Sequence, residues 1–188
     1  MRGMKTDMQN QVEQVDRIGL SLQTTLVKNQ GLMVVVGRDG QGRDLAMDLA
    51  TLPHLLIGGS TGSGKSVCIK SILSQLMYTK TPDEVKFIIY DEKCIEFRRM
   101  GNCPYLFKPV ITDPQALLSV LEAVRDELED RTQAIRNGDP VTRIVVVADE
   151  YAALMVSHSE RAEPLLAQML VLGRAAGGSF HFCDVETG

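Results

Sequence analysis

The stretch that decides the fold runs from Leu55-Leu56-Ile57 through Gly59-Ser60-Thr61-Gly62-Ser63-Gly64-Lys65-Ser66 and on into Val67–Tyr78. Its first part is a short apolar run typical of a buried strand, its middle is rich in glycine, and its last part has the apolar spacing of a helix. The middle satisfies the pattern G-x-x-x-x-G-K-[ST] in full, in the strand–loop–helix context that the pattern requires. We therefore predict a phosphate-binding loop.

The chemistry of this loop follows from its residue types. Glycines let the backbone turn tightly, so that several N–H groups point into one concavity and hold phosphate oxygens. The helix that begins near Lys65 adds the positive end of its dipole. Lys65 supplies a full charge to the terminal phosphates of a nucleotide, and the Ser66 hydroxyl suits Mg²⁺. The predicted binding residues are consecutive: Gly59, Ser60, Thr61, Gly62, Ser63, Gly64, Lys65, Ser66 and Val67.

Two predicted strands end in Asp-Glu, a pair that can hold a metal ion and polarise an attacking water. One strand ends at Asp91-Glu92 and the other at Asp149-Glu150. The pattern alone excludes neither, and a solvent-exposed strand end is the plainer alternative. We favour Asp149 as the Mg²⁺ ligand and Glu150 as the base, because the β-branched run 144–147 indicates the more deeply buried strand.

The rest of the chain alternates strands and helices. Apolar runs at 85–90 and 144–147 predict strands, Asp113-Pro114 predicts the start of a long helix, and a last helix is expected near Pro164–Ala176. This alternation is typical of a parallel sheet with helices on both faces. Upstream, 32–36 and 44–49 predict a β-hairpin, and 8–28 an amphipathic helix. We therefore divide the chain into an extension, 1–30, and an α/β core, 31–188.

Composition limits the classes of function. A chain of 188 residues suits one α/β domain, and its net charge of −4 does not by itself indicate a polyanionic partner. With five Phe, four Tyr and no Trp, a stacking platform for single-stranded nucleic acid gains little support. The four cysteines and three histidines lack metal-ligand spacing, and we interpret the cysteines as reduced thiols. No apolar run is long enough to cross a membrane, so we expect a cytoplasmic chain.

The segment Leu52–Ser66 resembles the signature of the FtsK/SpoIIIE family of DNA-translocating ATPases. Further segments agree with the family in order: Val36–Asp39, Asp91–Lys93 (with Glu92 in place of a proline), Val145–Met155 and Gly173–Gly177. The resemblance covers residues 31–178 and assigns hydrolysis to Asp149 and Glu150. It implies a RecA-like core that binds ATP and Mg²⁺, assembles as a homo-hexamer around double-stranded DNA, and moves DNA during chromosome segregation. Septal members of the family also carry a membrane anchor upstream.

The resemblance also suggests a role for Arg174, which lies in the Arg-Ala segment at the end of the last predicted helix. It is a candidate for reaching the γ-phosphate held by a neighbouring subunit. A helix-end arginine that complements the helix dipole is an equally good interpretation. Arg98-Arg99, the only adjacent basic pair, is either plain surface or a partner contact.

The chain departs from the family near its C-terminus. Where the family has a strand ending in Ala-Thr-Gln, Asp184 and Val185 stand at the Thr and Gln positions, and the chain stops at Gly188. We therefore expect a core that is incomplete at its C-terminal end, with slow hydrolysis even where ATP binds. The run 178–182 is still compatible with a strand. Two alternatives to a DNA motor stay open: a nucleotide-binding module without motor activity, and a related ATPase that moves protein or nucleoprotein in secretion or conjugation.

Overall fold

The computed structural model describes residues 31–52, 54–60, 62–137, 139–149, 151–175 and 180–187. The helix expected over 8–28 lies outside these residues, and so does the whole 1–30 extension. The first elements are strands β1 (Met33–Arg38) and β2 (Asp44–Asp48), which pair antiparallel and confirm the predicted hairpin. The carboxylate of Asp39 closes the turn by accepting the backbone N–H groups of Gln41 and Arg43, each at 2.9 Å.

Four parallel strands form the central sheet. They are β3 (His54–Gly59), β4 (Val85–Asp91), β5 (Arg143–Asp149) and β6 (Phe180–Thr187), in the spatial order β3-β6-β5-β4. The run 144–148 of β5 is buried throughout, as its β-branched residues predict for an inner strand. Three helices connect these strands: α1 (Lys65–Thr79), α2 (Pro114–Arg136) and α3 (Tyr151–Ala175).

The strands alternate their side chains between two cores, one on each face of the sheet. Phe87, Ile89, Val145 and Val147 pack with α1 and the hairpin. Ile88, Tyr90, Ile144 and Val146 pack with α2 and α3. The apolar face of α2 is buried through Leu117, Leu118, Leu121, Val124 and Leu128. Asp113 caps this helix as predicted, accepting the N–H of Ala116 at 2.7 Å. The predicted arrangement, a parallel sheet with helices on both faces, is confirmed.

Strand β6 forms an inner strand of the sheet at the C-terminal segment, where the sequence offered only 178–182 as a candidate strand. Its eight residues lie between β3 and β5 and pair in parallel with both, from His54↔Phe182 to Gly59↔Thr187 on one side and from Ile144↔Phe180 to Asp149↔Val185 on the other. The sheet is therefore continuous from the strand before the phosphate loop to β4. The strand pattern in the sequence ends at Phe182, because Asp184 and Glu186 interrupt the apolar run expected of an inner strand.

Helix α3 begins much earlier than expected, at Tyr151 and not near Pro164. The helix is kinked at His158, whose backbone is non-helical at φ −140° and ψ 24°. Proline is most common in the first turn of a helix, so Pro164 suggested a start there. The weak helix formers Ser157 and Ser159 hid the segment before the kink.

Helix α1 is tied to the hairpin by one fully buried polar side chain. The Gln75 amide accepts the backbone N–H of Val35 at 2.7 Å and donates to the carbonyl of the same residue at 2.9 Å. It thus replaces the strand neighbour that Val35 lacks on this side. At the C-terminal end of α1, the Tyr105 hydroxyl bonds to the carbonyls of Met77 at 3.0 Å and Lys80 at 2.7 Å. Burial raises the pKa of Tyr105, so the hydroxyl keeps its proton well above neutral pH.

Replacing Gln75 by methionine should destabilise the fold by about 2–4 kcal/mol, because it leaves two buried backbone groups of Val35 without a partner. The measurement is the free energy of unfolding from urea titration. Gln168→Met is the matched control, since Gln168 lies exposed on α3, and its cost should stay within about 0.5 kcal/mol. Equal losses in the two variants would show that the Gln75 amide does not hold the hairpin on α1.

Candidate nucleotide-binding site

The backbone of the phosphate loop favours glycine at several points. Gly62 and Gly64 have φ values of 81° and 96°, in the left-handed region. At Gly59 the constraint is steric, because a Cβ atom would lie 2.5 Å from Oγ of Ser63. The N–H of Ser63 donates to the carbonyl of Ser60 at 3.0 Å and closes the turn. The loop is therefore folded tightly by its own backbone. Thr61 lies outside the described residues.

Lys65 is the first residue of α1, and its side chain is only 8% exposed. Its ammonium group donates to the carbonyl oxygens of Gly59 and, at 3.0 Å, of Ser60. Both carbonyls belong to the loop, so the charge of Lys65 lies at the loop and not out in solvent. The prediction that Lys65 serves the phosphate loop agrees with this placement.

The start of α1 has the donors that phosphate needs. Its N-cap is Gly64, which offers no side-chain hydrogen bond, and the N–H of Cys68 makes the first helical bond, to Gly64 at 2.9 Å. The N-cap residue therefore supplies no side-chain cap to the first turn, which is suited to an anion. Ser66 is half-buried in this turn, and Val67 is 43% exposed. Uncapped N–H groups, a buried ammonium and a hydroxyl form a donor set that fits a nucleotide phosphate with Mg²⁺.

The parallel strands bring Asp149 to the same edge of the sheet as the phosphate loop. Asp149 ends β5, and across β6 it is level with Val185 and then Ile57, two residues before Gly59. Strands β3 and β5 are thus about 10 Å apart, or two strand spacings. Mg²⁺ binds through one or two protein oxygens together with phosphate oxygens, so Ser66 and Asp149 fit its usual coordination.

The structure distinguishes the two strand ends that the sequence left open. Asp91 and Asp149 are paired in register on neighbouring strands. The Asp91 side chain, however, is 1% exposed and accepts the backbone N–H groups of Glu96 and Phe97, each at 2.9 Å, and of Ile95 at 3.3 Å. Its carboxylate is committed to the loop that follows β4. Asp149 is half-buried, which favours it as the metal ligand.

Glu150 and Arg174 are the two further residues with predicted catalytic roles. Glu150 lies outside the described residues. Arg174 lies in the last turn of α3, and only its backbone is described. Their catalytic roles stay predictions.

One contact near the site has no signal in the sequence motifs. Lys70, one turn after Ser66 on α1, forms an ion pair with Glu96 at 2.5 Å, and its ammonium lies 5.9 Å from the ring centre of Phe97. The participants are 26 residues apart along the chain. A Lys and a Glu at such a separation are too common for their pairing to be predicted.

Metal-binding groups, cysteine thiols and membrane-spanning helices are the other features to consider in the described part of the chain. There, no three His, Cys, Asp or Glu side chains come together as a metal-binding group. Cys68, Cys94 and Cys103 are half-buried free thiols, and burial raises the pKa of Cys68, which therefore stays protonated at neutral pH. Among the same residues, no helix is both long and apolar enough to cross a membrane.

A glycine loop after one strand, a buried lysine at the next helix, and an acidic strand end two strands away across the sheet define a RecA-like P-loop NTPase core. The sequence profile of the FtsK/SpoIIIE family matches residues 22–140, more than half of the chain. The chain belongs to this family, as the motifs indicated.

Curated relatives agree. "DNA translocase FtsK" of Treponema pallidum is 32% identical over 177 residues, covering 84% of this chain and 22% of the relative. "DNA translocase FtsK" of Helicobacter pylori strain J99 is 36% identical over 163 residues, covering 78% of this chain and 19% of the relative. The chain thus spans about a fifth of the length of these relatives.

Solved structures share the fold. A structure of EccC (ATPases 2 and 3) from Thermomonospora curvata, in complex with a signal sequence peptide, matches 89% of this chain and 31% of that chain, with a TM-score of 0.71 at 20% identity. The pCW3 conjugation coupling protein TcpA, in a monomer form with ATPγS, matches 87% of this chain and 50% of that chain, with a TM-score of 0.62 at 24% identity. At these identities the likeness establishes the fold alone.

Asparagine substitutions at Asp91 and Asp149 should affect different properties, the first mainly stability and the second mainly Mg²⁺-dependent nucleotide binding. Asp91→Asn should cost about 2–3 kcal/mol of stability, because an amide cannot accept all three backbone N–H groups. Asp149→Asn should cost under about 1 kcal/mol but raise the Mg²⁺ concentration needed for tight nucleotide binding by about tenfold or more. Urea unfolding and titration of a fluorescent ATP analogue measure the two effects. If Asp91→Asn caused the larger Mg²⁺ defect, the assignment of the metal ligand would be wrong.

Proposed function

We propose that this chain is the ATP-binding and ATP-hydrolysing motor core of a double-stranded DNA translocase, which couples hydrolysis to DNA movement. The observation that carries the proposal is the phosphate loop on the same sheet edge as Asp149, with β6 between their strands, in a chain of the FtsK/SpoIIIE family. The printed names of the curated relatives identify those proteins as DNA translocases, which makes duplex DNA the expected cargo.

Lys65 and the loop glycines would bind the phosphates of ATP. On binding, the Lys65 ammonium would exchange the carbonyls of Gly59 and Ser60 for phosphate oxygens. Such an exchange is favourable, because a charge-assisted bond to an anion is stronger than one to a neutral carbonyl. Ser66 and Asp149 would hold Mg²⁺, which, when bound, neutralises phosphate charge.

Glu150, the residue after Asp149, would take the proton of the attacking water as general base. Arg174, in the last turn of α3, would reach the γ-phosphate held by a neighbouring subunit, where a positive charge stabilises the transition state. The role of Arg174 requires the proposed homo-hexamer to present neighbouring subunits to one another, whereas Glu150 acts within its own subunit. A ring also allows a mildly acidic chain to bind DNA, since a few basic residues from each of six copies converge on the pore.

A nucleotide-binding module without motor activity is the second candidate. It is favoured by position 185 of β6, which lies level with Asp149 in the register and carries valine, a residue without a polar group. Hydrolysis would then be slow while ATP–Mg²⁺ binding persists. Transport of protein or nucleoprotein remains a third possibility for cargo, because the fold likeness to EccC and TcpA does not discriminate among cargoes.

ATP turnover of the full-length gene product, with and without duplex DNA, tests the proposal. We expect DNA to stimulate turnover. Glu150→Gln should lower turnover by at least about 100-fold, because the general base is lost. The nucleotide affinity of this variant should stay within about twofold of the wild type, since a residue that acts in the transition state adds little to ground-state binding.

Turnover that DNA leaves unchanged would contradict a DNA motor. Turnover that Glu150→Gln also leaves unchanged would favour the binding module. Stimulation by a secreted or DNA-processing protein, in place of bare DNA, would favour the third possibility.

A further inference from the structure

The ion pair between Lys70 and Glu96 joins the phosphate-loop helix to the segment that follows β4. Lys70 is four residues after Ser66, so both side chains lie on the same face of α1, one turn apart. Its ammonium contacts Glu96 at 2.5 Å and lies over the ring of Phe97. Because the two residues are one helical turn apart, a contact that holds Lys70 in place also holds Ser66 in place.

The other end of this connection reaches the strand of Asp149. The backbone N–H of Glu96 donates to the Asp91 carboxylate at 2.9 Å, and Asp91 is the register partner of Asp149. One short path thus runs from Ser66 through Lys70, Glu96 and Asp91 to Asp149. It joins the two residues proposed above to hold Mg²⁺.

The segment between Asp91 and Phe97 is built to be rigid. The Asp91 carboxylate accepts three of its backbone N–H groups, and the Asp91 carbonyl accepts a fourth, from Cys94 at 2.9 Å. Phe97 is 2% exposed and packs in the core beneath α1. Cys94 adopts φ +50°, a backbone conformation that is unfavourable for a residue other than glycine and persists where the surrounding structure holds it. A rigid segment can fix a distance, whereas a mobile one cannot.

We propose that Lys70 is a positioning residue: paired with Glu96, it sets the separation of Ser66 and Asp149 and so tunes the affinity for Mg²⁺. This inference rests on the proposed function of the site. The reason is chemical, because Mg²⁺ demands near-ideal octahedral geometry, and a small displacement of one ligand weakens its binding. The pair itself is half-exposed, with 39% and 32% side-chain exposure, so it contributes little to overall stability.

The test is the affinity for a fluorescent ATP analogue over a series of Mg²⁺ concentrations. In Lys70→Met, the Mg²⁺ concentration that gives half-maximal binding should rise about fivefold, as outer-shell changes commonly cause. Affinity in EDTA and the melting temperature should stay as in the wild type. The double variant Lys70→Met/Glu96→Gln should be no worse than either single variant, because the two residues act as one pair.

Arg161→Met is the matched control. It breaks an ion pair with Glu122 of similar exposure, 46% and 35%, that joins α3 to α2 away from the loop, and it should leave the Mg²⁺ dependence unchanged. An unchanged Mg²⁺ dependence in Lys70→Met would overturn the inference about Lys70 but not the proposed function. An equal loss of nucleotide affinity with and without Mg²⁺ would have the same consequence. Absence of Mg²⁺-dependent binding in the wild type would overturn the proposed function together with it.

Discussion

In the described part of the chain, the strand that carries the phosphate loop is bonded to the strand of Asp149 only through β6, which pairs with both. The register of this one strand therefore sets where the loop stands relative to Asp149. A shift of one residue would turn each side chain to the opposite face of the sheet. The proposed chemistry has to take place at the sheet edge where these strands end, with β6 between the phosphate loop and Asp149.

Helix α1 provides the second constraint, since it carries Lys65 and Ser66. Gln75 ties the helix to the hairpin, Tyr105 bonds to carbonyls at its C-terminal end, and Lys70 ties it to the segment after β4. Each contact is made with a different part of the chain. Apolar packing under α1 is non-directional, so these polar contacts are what define its position along the sheet.

Much of the core was predictable from the sequence, because strong local signals determine it. The phosphate loop, the hairpin, the capped start of α2 at Asp113 and the apolar strand before Asp149 each follow from a short pattern. The choice of Asp149 over Asp91 rested on burial of the strand and on a family resemblance, whereas the structure supplies a direct reason in the hydrogen bonds of Asp91. The early start of α3 was missed, because serines around a kink weaken the helical pattern. The strand β6 was predicted only in part, over 178–182, because acidic residues interrupt the rest of its apolar run. The pairing of Lys70 with Glu96 depends on the tertiary fold, and no local pattern encodes it.

The central claim is that the Ser66 and Asp149 side chains share one metal ion across β6. A crystal structure with Mn²⁺ in place of Mg²⁺ and a non-hydrolysable ATP analogue tests this most directly, because the anomalous signal of manganese locates the metal independently of the protein. We expect one anomalous peak beside the phosphates, in contact with the Ser66 hydroxyl and with Asp149 directly or through a water molecule. A peak at Asp91, or β6 found outside the space between β3 and β5, would contradict the account.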